Sequence, residues 1–510
     1  MPSHKDDSSR SSRRHAVVRG AFVLRAGNLG NRVVSGASFT MLGITLRTLL
    51  TIGSTAILAR LLTPADFGYI AMATTVTELA ALLGSFGLGN ILVQRKVVTR
   101  LQMDTVFWTG LIVGAVLAVV VFLISFLAES LFGDPVIGDL LRVLWLPFLI
   151  GGFSSVSDAI IARMMWFRLE FWIQLAVVLC RSLIAIGFAY SGFAVWSLVA
   201  GGIAGTTEGA LLAFFAFPYL PRLRFNLAYL AATWRTSGSY FGSSMLYYIS
   251  MNIDVMLIGR QLGASALGYY QNARSLTDEV RGRLAMPLQR VLFPAFSALQ
   301  SDQERLQRTV IHSGRLLAAV IVPVGFGISA VASELVPVLY GSQWLDMVPV
   351  LSMFGLSAAV RGSTAIASPL FNSRDRVGLS FRYNLVGTFI TVVAIVISLP
   401  YGISAVSAAV ALTSLYALVG FRAGIGLIGL GVRHVMLILG PPTAAATIMW
   451  LTIWAMRTYA VDWLDVPALV LAAHILVGVL VYALALHTAS RQYFNDFVDL
   501  GNRLLKRPNS

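Results

Sequence analysis

The chain has 510 residues, 57% of them hydrophobic and only 12% charged, with a mean hydropathy of +0.77. A soluble domain carries about 25% charged residues, so this much apolar surface needs lipid as its solvent, and an enzyme with a soluble active site is excluded. The formal charge of +15 does not indicate nucleic acid, because the basic residues sit between apolar segments, where they set membrane topology.

Residues 1–37 read as a polar, basic tail containing Lys5, Arg10, Arg13, Arg14 and Arg19. No apolar core with a cleavage site follows, so no signal peptide is expected, and 21–36 are expected on the membrane surface. A bilayer-spanning helix needs about 20 mostly apolar residues. Such segments occur at 38–61, 69–92, 105–128, 141–162, 171–190, 194–217, 238–261, 269–295, 314–332, 346–369, 378–399, 402–421, 434–456 and 466–487. The predicted fold is an all-α membrane protein with about 14 transmembrane helices. Six-helix bundles at 38–217 and 238–421 are followed by two additional helices at 434–487 and an amphipathic cytoplasmic tail at 488–510. The connectors are short and rich in Gly, Pro and Asp, and none is long enough for a soluble domain.

Charge supports this map. With the N-terminus inside, 25 of the 38 Lys and Arg residues lie in inner tails and loops, and only Arg60, Arg260 and Arg457 lie at outer edges. That asymmetry predicts that both termini are cytoplasmic. The segment 269–295 tests it hardest, since it carries Arg274, Asp278, Glu279, Arg281, Arg283 and Arg290. Treating it as a surface helix would turn every later basic loop outward, so it is predicted to span the membrane and to line a wet cavity.

An internal repeat agrees. Arg60, Leu62, Gly68 and Tyr69 recur two hundred positions later as Arg260, Leu262, Gly268 and Tyr269, and Glu78 falls on Asp278. Six spans separate the copies, so the halves share one orientation, as in parallel repeats.

Ala59-Arg60-Leu61-Leu62-Thr63-Pro64-Ala65-Asp66-Phe67-Gly68-Tyr69 resembles the first outer loop of polysaccharide-type flippases. Further motifs are Asn252-Ile253-Asp254, Ile258-Gly259-Arg260, Ala266-Leu267-Gly268-Tyr269-Tyr270, Phe293-Pro294-Ala295-Phe296-Ser297 and Gln303-Glu304-Arg305. Together they resemble the Wzx-like polysaccharide exporters, a branch of the multidrug/oligosaccharidyl-lipid/polysaccharide flippase superfamily, over roughly residues 36 to 487. The resemblance implies two six-helix bundles around a central cavity and alternating access. It also implies transport of an undecaprenyl-pyrophosphate-linked oligosaccharide to the outer leaflet of the bacterial cytoplasmic membrane. Expected partners are that lipid-linked sugar, membrane lipids, and a polysaccharide polymerase with its co-polymerase.

Ionisable groups at bilayer depth cost about 2.5–3.5 kcal/mol each, so each needs a reason. The intramembrane set includes Arg47, Glu78, Arg142, Asp158, Arg181, Glu208, Asp254, Arg274, Asp278, Arg281, Arg283 and Arg361. Arg274, Asp278 and Arg281 fall at i, i+4 and i+7 on one helix face, with Glu279 and Arg283 as a second i, i+4 pair. Guanidinium binds phosphate oxygens with paired donors, so Arg47, Arg274, Arg281 and Arg361 are the predicted anion contacts. Glu78, Asp158, Glu208, Asp254 and Asp278 are candidates for ion coupling or for salt bridges that hold the bundles together, with Asp254 first because it lies within a resembling motif. Tyr240, Tyr247, Tyr248 and Tyr269 are candidates for stacking on sugar rings or for interfacial anchoring. No cofactor or metal is expected, and the energy source is left among membrane potential, H+ and Na+.

Other signals carry less. Gly424-Ile425-Gly426-Leu427-Ile428-Gly429 lacks the βαβ context of a dinucleotide loop, and no Walker loop is present. His312, His434, His474 and His487 lack metal-ligand spacing. Asp462 and Asp465 read as a solvated outer loop, and Cys180 as a small buried hydrophobe that has no disulfide partner in the chain. A multidrug or small-cation exporter would favour an acidic cavity, and a membrane polymerase or ligase would need a large outer loop. Those are the two alternative readings.

Overall fold

The computed structural model describes residues 21–23, 29–84, 92, 97–459, 466–489 and 493. The basic tail before residue 21, the loop with Asp462 and Asp465, and most of the C-terminal tail lie outside the described residues, as do the side chains of Tyr240 and Tyr247. The chain divides into two compact units, Met1–Met256 and Leu257–Ser510. It is an all-helical multi-pass membrane protein, and the strands among the described residues are one short pair.

In the first unit, β1 (Ala21–Val23) pairs antiparallel with β2 (Val97–Thr99), Ala21 opposite Thr99. The helices are α1 (Leu29–Leu61), α2 (Pro64–Gly84), α3 (Arg100–Ser125), α4 (Ala128–Phe132), α5 (Pro135–Leu141), α6 (Leu146–Arg163), α7 (Phe167–Tyr190) and α8 (Val195–Ala216). α3 starts on a capping box: Gln102 N donates to Thr99 Oγ1 while the Gln102 side chain accepts from Thr99 N. α9 (Leu227–Ala298) runs across the division, and Gly263, with φ 84° and ψ 174°, breaks it into 227–262 and 264–298. Only glycine adopts that backbone without strain.

The second unit continues with α10 (Gln303–Ala330), α11 (Ala332–Leu339), α12 (Met347–Ser363), α13 (Ala367–Ser373), α14 (Val377–Ser398), α15 (Ile403–Ser414), α16 (Tyr416–Gly426), α17 (Val432–Tyr459) and α18 (Pro467–Ala489). Eleven helical segments among the described residues are long and apolar enough to cross a membrane. Helices also stand where 69–92, 238–261 and 269–295 were expected, but they are more polar or, for 69–92, described only in part.

Lipid removes the usual hydrophobic drive between helices, so close packing must hold them. Glycines supply it. A Cβ on Gly114 would lie 2.4 Å from Phe148 O, and one on Gly325 would lie 2.6 Å from Gly355 O. These contacts join α3 to α6 and α10 to α12. On α8, Gly201, Gly205 and Gly209 face α7, against Arg181, Ala185 and Val177. Large apolar side chains turn outward instead: Leu469, Leu476, Leu480 and Leu484 of α18 are exposed, while Leu471, His474, Gly478 and Leu486 face inward.

The backbone repeats as the sequence does. Left-handed glycines end matching segments, Gly133 and Gly192 in the first unit, Gly341 and Gly402 in the second. Met165 and Asp375 both adopt φ 53°, uncommon for residues with a Cβ. Each sits in the same turn, closed by Trp166 N to Ile161 O (3.3 Å) and by Arg376 N to Phe371 O (2.9 Å).

Candidate functional site

The second half of α9 buries Leu267, Tyr270, Ala273, Thr277, Ala285, Leu292 and Phe296. That stripe seats the helix in the unit and leaves its charges on the flanks. Asp278 lies between two arginines. Its Oδ1 accepts from Arg281 Nη2 at 3.0 Å and Nε at 3.2 Å, and its Oδ2 is 3.7 Å from Arg274 Nε. The three side chains are 20% (Arg274), 41% (Asp278) and 32% (Arg281) exposed, so the group is open rather than sealed. Arg283 pairs with Glu279 one step round the helix, Nε to Oε1 3.1 Å.

α12 brings the fourth member. A Cβ at Gly362 would lie 2.4 Å from Ile321 Cγ2 and 3.3 Å from Arg281 Cγ, so glycine lets the α12 backbone reach the stem of Arg281. Arg361, half-buried beside it, stands in the field of Asp278, Arg281, Tyr270 and Arg274. Its guanidinium makes no hydrogen bond or ion pair among the described residues. Tyr270 is buried edge-on to Phe354, ring centres 5.0 Å apart, which fixes the floor of the cluster. Arg274 and Arg281 thus share one carboxylate, with the Arg361 guanidinium in the same field. Such a group can grip an anion with several paired donors.

The other predicted anion contact and carboxylates lie in the first unit and do not form one cluster there. Arg47 donates to Gly43 O at 3.2 Å and to Gln174 Oε1 at 3.3 Å, both neutral acceptors. Glu78 accepts from Tyr248 Oη at 3.0 Å. Asp158 is exposed, with Ser154 and the Glu170 carboxylate as its neighbours and no ion pair among the described residues. Glu208 faces the Cys180 thiol and keeps Oε2 without a hydrogen bond. Asp254 is buried and accepts from Val255 N at 2.9 Å. Of the tyrosines, Tyr248 serves Glu78, and Tyr269 donates to Gln343 O at 3.4 Å.

Two constellations escaped the sequence. Glu334 of α11 accepts from Arg457 of α17, Nε at 2.9 Å and Nη2 at 2.8 Å, and lies 3.5 Å from His474 Nδ1 of α18. Glu334 is over 120 positions from either partner, and only the carboxylate at the end of an apolar span hinted at one. Asp104 is buried at the start of α3, where it accepts from Tyr219 Oη (2.5 Å) and Arg222 N (2.9 Å). Tyr219, outside the spans, has its pKa pushed up by burial and by the Asp104 carboxylate. No group of metal-ligating side chains occurs among the described residues.

A family model described as "Polysaccharide biosynthesis protein" matches residues 57–349. The chain is 26% identical over 376 residues to the lipopolysaccharide biosynthesis protein WzxC of Escherichia coli (strain K12), covering 72% of this chain and 76% of that one. It is 29% identical over 342 residues to the succinoglycan biosynthesis transport protein ExoT of Rhizobium meliloti (strain 1021), covering 66% and 69%. Among solved structures, the lipid II flippase MurJ in an inward closed conformation superposes with a TM-score of 0.69 over 88% of this chain and 99% of that one. At 14% identity this likeness speaks for the fold alone.

Proposed function

The chain belongs to the polysaccharide biosynthesis protein family, and on that premise we propose that it is a flippase for undecaprenyl-pyrophosphate-linked oligosaccharides. It moves each repeat unit from the cytoplasmic to the outer leaflet of the bacterial cytoplasmic membrane, for exopolysaccharide or lipopolysaccharide synthesis. The observation that carries this reading is the cationic cluster of Arg274, Arg281 and Arg361 around the single carboxylate of Asp278. A pyrophosphate and its sugars enter hydrocarbon only at great cost, whereas the polyprenyl tail is at home there. Guanidiniums facing water lower the barrier for the headgroup while the tail stays in lipid. Arg47 of the first unit, whose partners are uncharged, is a further candidate anion contact.

The bundles 38–217 and 238–421 are the alternating elements, with 434–487 as the added pair and both termini cytoplasmic. An inside-negative potential favours outward movement of negative charge by about 2.3 kcal/mol per charge per 100 mV. Asp254, or Asp158 beside Glu170, is the carboxylate that carries H+ or Na+ if the potential does not suffice. A polymerase and co-polymerase receive the flipped unit. The test is deletion of the protein with lipid-linked sugar measured in each leaflet. Accumulation on the cytoplasmic side is expected. An unchanged leaflet distribution, or sensitivity to cationic drugs alone, overturns the reading.

A further inference from the structure

The two units place corresponding segments before Tyr69 and Tyr269 and then treat their polar groups differently. In the first unit they are consumed. Thr63 N and Oγ1 donate to Asp66 Oδ2 at 2.8 and 2.7 Å, and Tyr69 Oη donates to Asp134 Oδ2 at 2.8 Å. The other oxygen of Asp134 caps α5 by accepting from Val136 N at 3.0 Å. In the second unit, Gly263 replaces Thr63 and Ala266 replaces Asp66. Asp346 precedes α12 as Asp134 precedes α5, yet its carboxylate makes no cap hydrogen bond. It lies instead beside the Tyr269 hydroxyl.

The space thus left is a cavity of about 480 Å³, lined among others by Ser265, Ala266, Tyr269, Asp346, Pro349 and Ser404. That volume falls in the range of about 300–1,000 Å³ usual for small-molecule sites. The Tyr269 ring is held edge-on to the fully buried Trp344, centres 5.8 Å apart, and Tyr340 backs that tryptophan at 5.4 Å. The aromatic wall is therefore fixed before any ligand arrives. The topology read from the basic residues puts all three contributing segments, around 262–269, 345–349 and 403–404, at the outer face.

We propose that this vestibule is an exit-side subsite for neutral sugar residues of the transported oligosaccharide, an inference that rests on the flippase reading above. The Tyr269 ring offers an apolar face and a hydroxyl. Asp346, already beside the Tyr269 hydroxyl, accepts from a sugar hydroxyl with its remaining acceptor capacity. Ser265 and Ser404 add donors at the rim. Asp346 also repels acidic sugars, so the subsite selects uncharged ones. It holds the flipped headgroup at the outer mouth and so opposes its return.

The test uses the full chain in spheroplasts. With Cys180→Ala as background, Ser404→Cys and Ala266→Cys are made separately and labelled with a membrane-impermeant maleimide. Rates are normalised to labelling after denaturation. Cells that make the lipid-linked sugar are compared with cells lacking the enzyme that loads the first sugar-phosphate onto the carrier. With the site two-thirds occupied, mass action predicts about threefold slower labelling when the sugar is present. Adding Asp346→Asn and Tyr269→Ala restores the unprotected rate. Equal rates in both cells, absence of outside labelling in sugar-free cells, or protection that survives the double substitution overturns the subsite. Leaflet distribution in the deletion strain is scored in parallel. Loss of protection with normal cytoplasmic accumulation defeats only this subsite, whereas no accumulation defeats the flippase itself.

Discussion

Arg361→Ala separates a binding role for the cationic cluster from a structural one. Arg274 and Arg281 already share Asp278, at 3.7 and 3.0 Å, whereas Arg361 has no partner of its own among the described residues. Removing it takes one of the three positive charges from the cluster. A hydrogen bond to a charged group contributes about 1.5–3 kcal/mol net, so apparent affinity for the pyrophosphate headgroup falls by roughly 10- to 150-fold. Folding does not suffer, because no ion pair among the described residues is broken and an unpaired cation leaves the bilayer. Arg361→Lys keeps the charge but loses the planar fork, and gives an intermediate defect. The assay is lipid-linked oligosaccharide in each leaflet of spheroplasts, with membrane abundance and thermal stability measured on the same variant. Wild-type export by Arg361→Ala, or a defect fully explained by lost protein, refutes the reasoning. Arg283→Ala is the control, since Glu279 already neutralises that residue.

Asp278→Asn removes the negative charge beside both neighbouring guanidiniums and should hold substrate more tightly while slowing its release, seen as lower turnover at saturating substrate with a lower half-saturation. Glu334→Gln leaves Arg457 and the buried His474 without their shared carboxylate. Arg457 is 37% exposed, so the cost is kept to about 1–2 kcal/mol, read as a lower melting temperature and easier proteolysis between α17 and α18. Gly325→Ala forces a Cβ to 2.6 Å from Gly355 O and should cost about 1–3 kcal/mol, while Gly187→Ala, with open space around it, should melt like the parent. Tyr219→Phe tests the Asp104 knot. The folded pKa of Tyr219 lies above its ordinary 10.0, so its stabilisation is complete below pH 10 and is lost as pH rises through the higher folded value. The phenylalanine variant should be less stable near neutrality and lose less than the parent on going to strongly alkaline pH.

Apolar length and the asymmetry of Lys and Arg made the helices legible, since each is a local property of a segment. The spacing of Arg274, Asp278 and Arg281 was equally legible, because one helix supplies all three and its periodicity places them on one face. Arg361 could be nominated from its depth alone, but its approach to Arg281 depends on Gly362, which only the packing of α12 reveals. Glu334, Arg457 and His474 come from three helices, so no periodicity links them, and His474 read as isolated. The first-unit acids show the same limit. Glu78 meets Tyr248 across 170 residues and Glu208 meets Cys180, pairings that nothing in a linear pattern announces.

The last two helices are anchored at several heights along their length. Arg457 and His474 reach Glu334, Trp450 Nε1 donates to Ser329 Oγ at 3.2 Å, and Tyr482 Oη to Ala319 O at 2.8 Å. A hinge needs one compliant point, and fasteners spread along a whole span leave none. The pair therefore travels as ballast with the second unit instead of swinging as a separate arm. A spin label on α18 and another on α10 should keep one narrow distance distribution through every stage of the transport cycle.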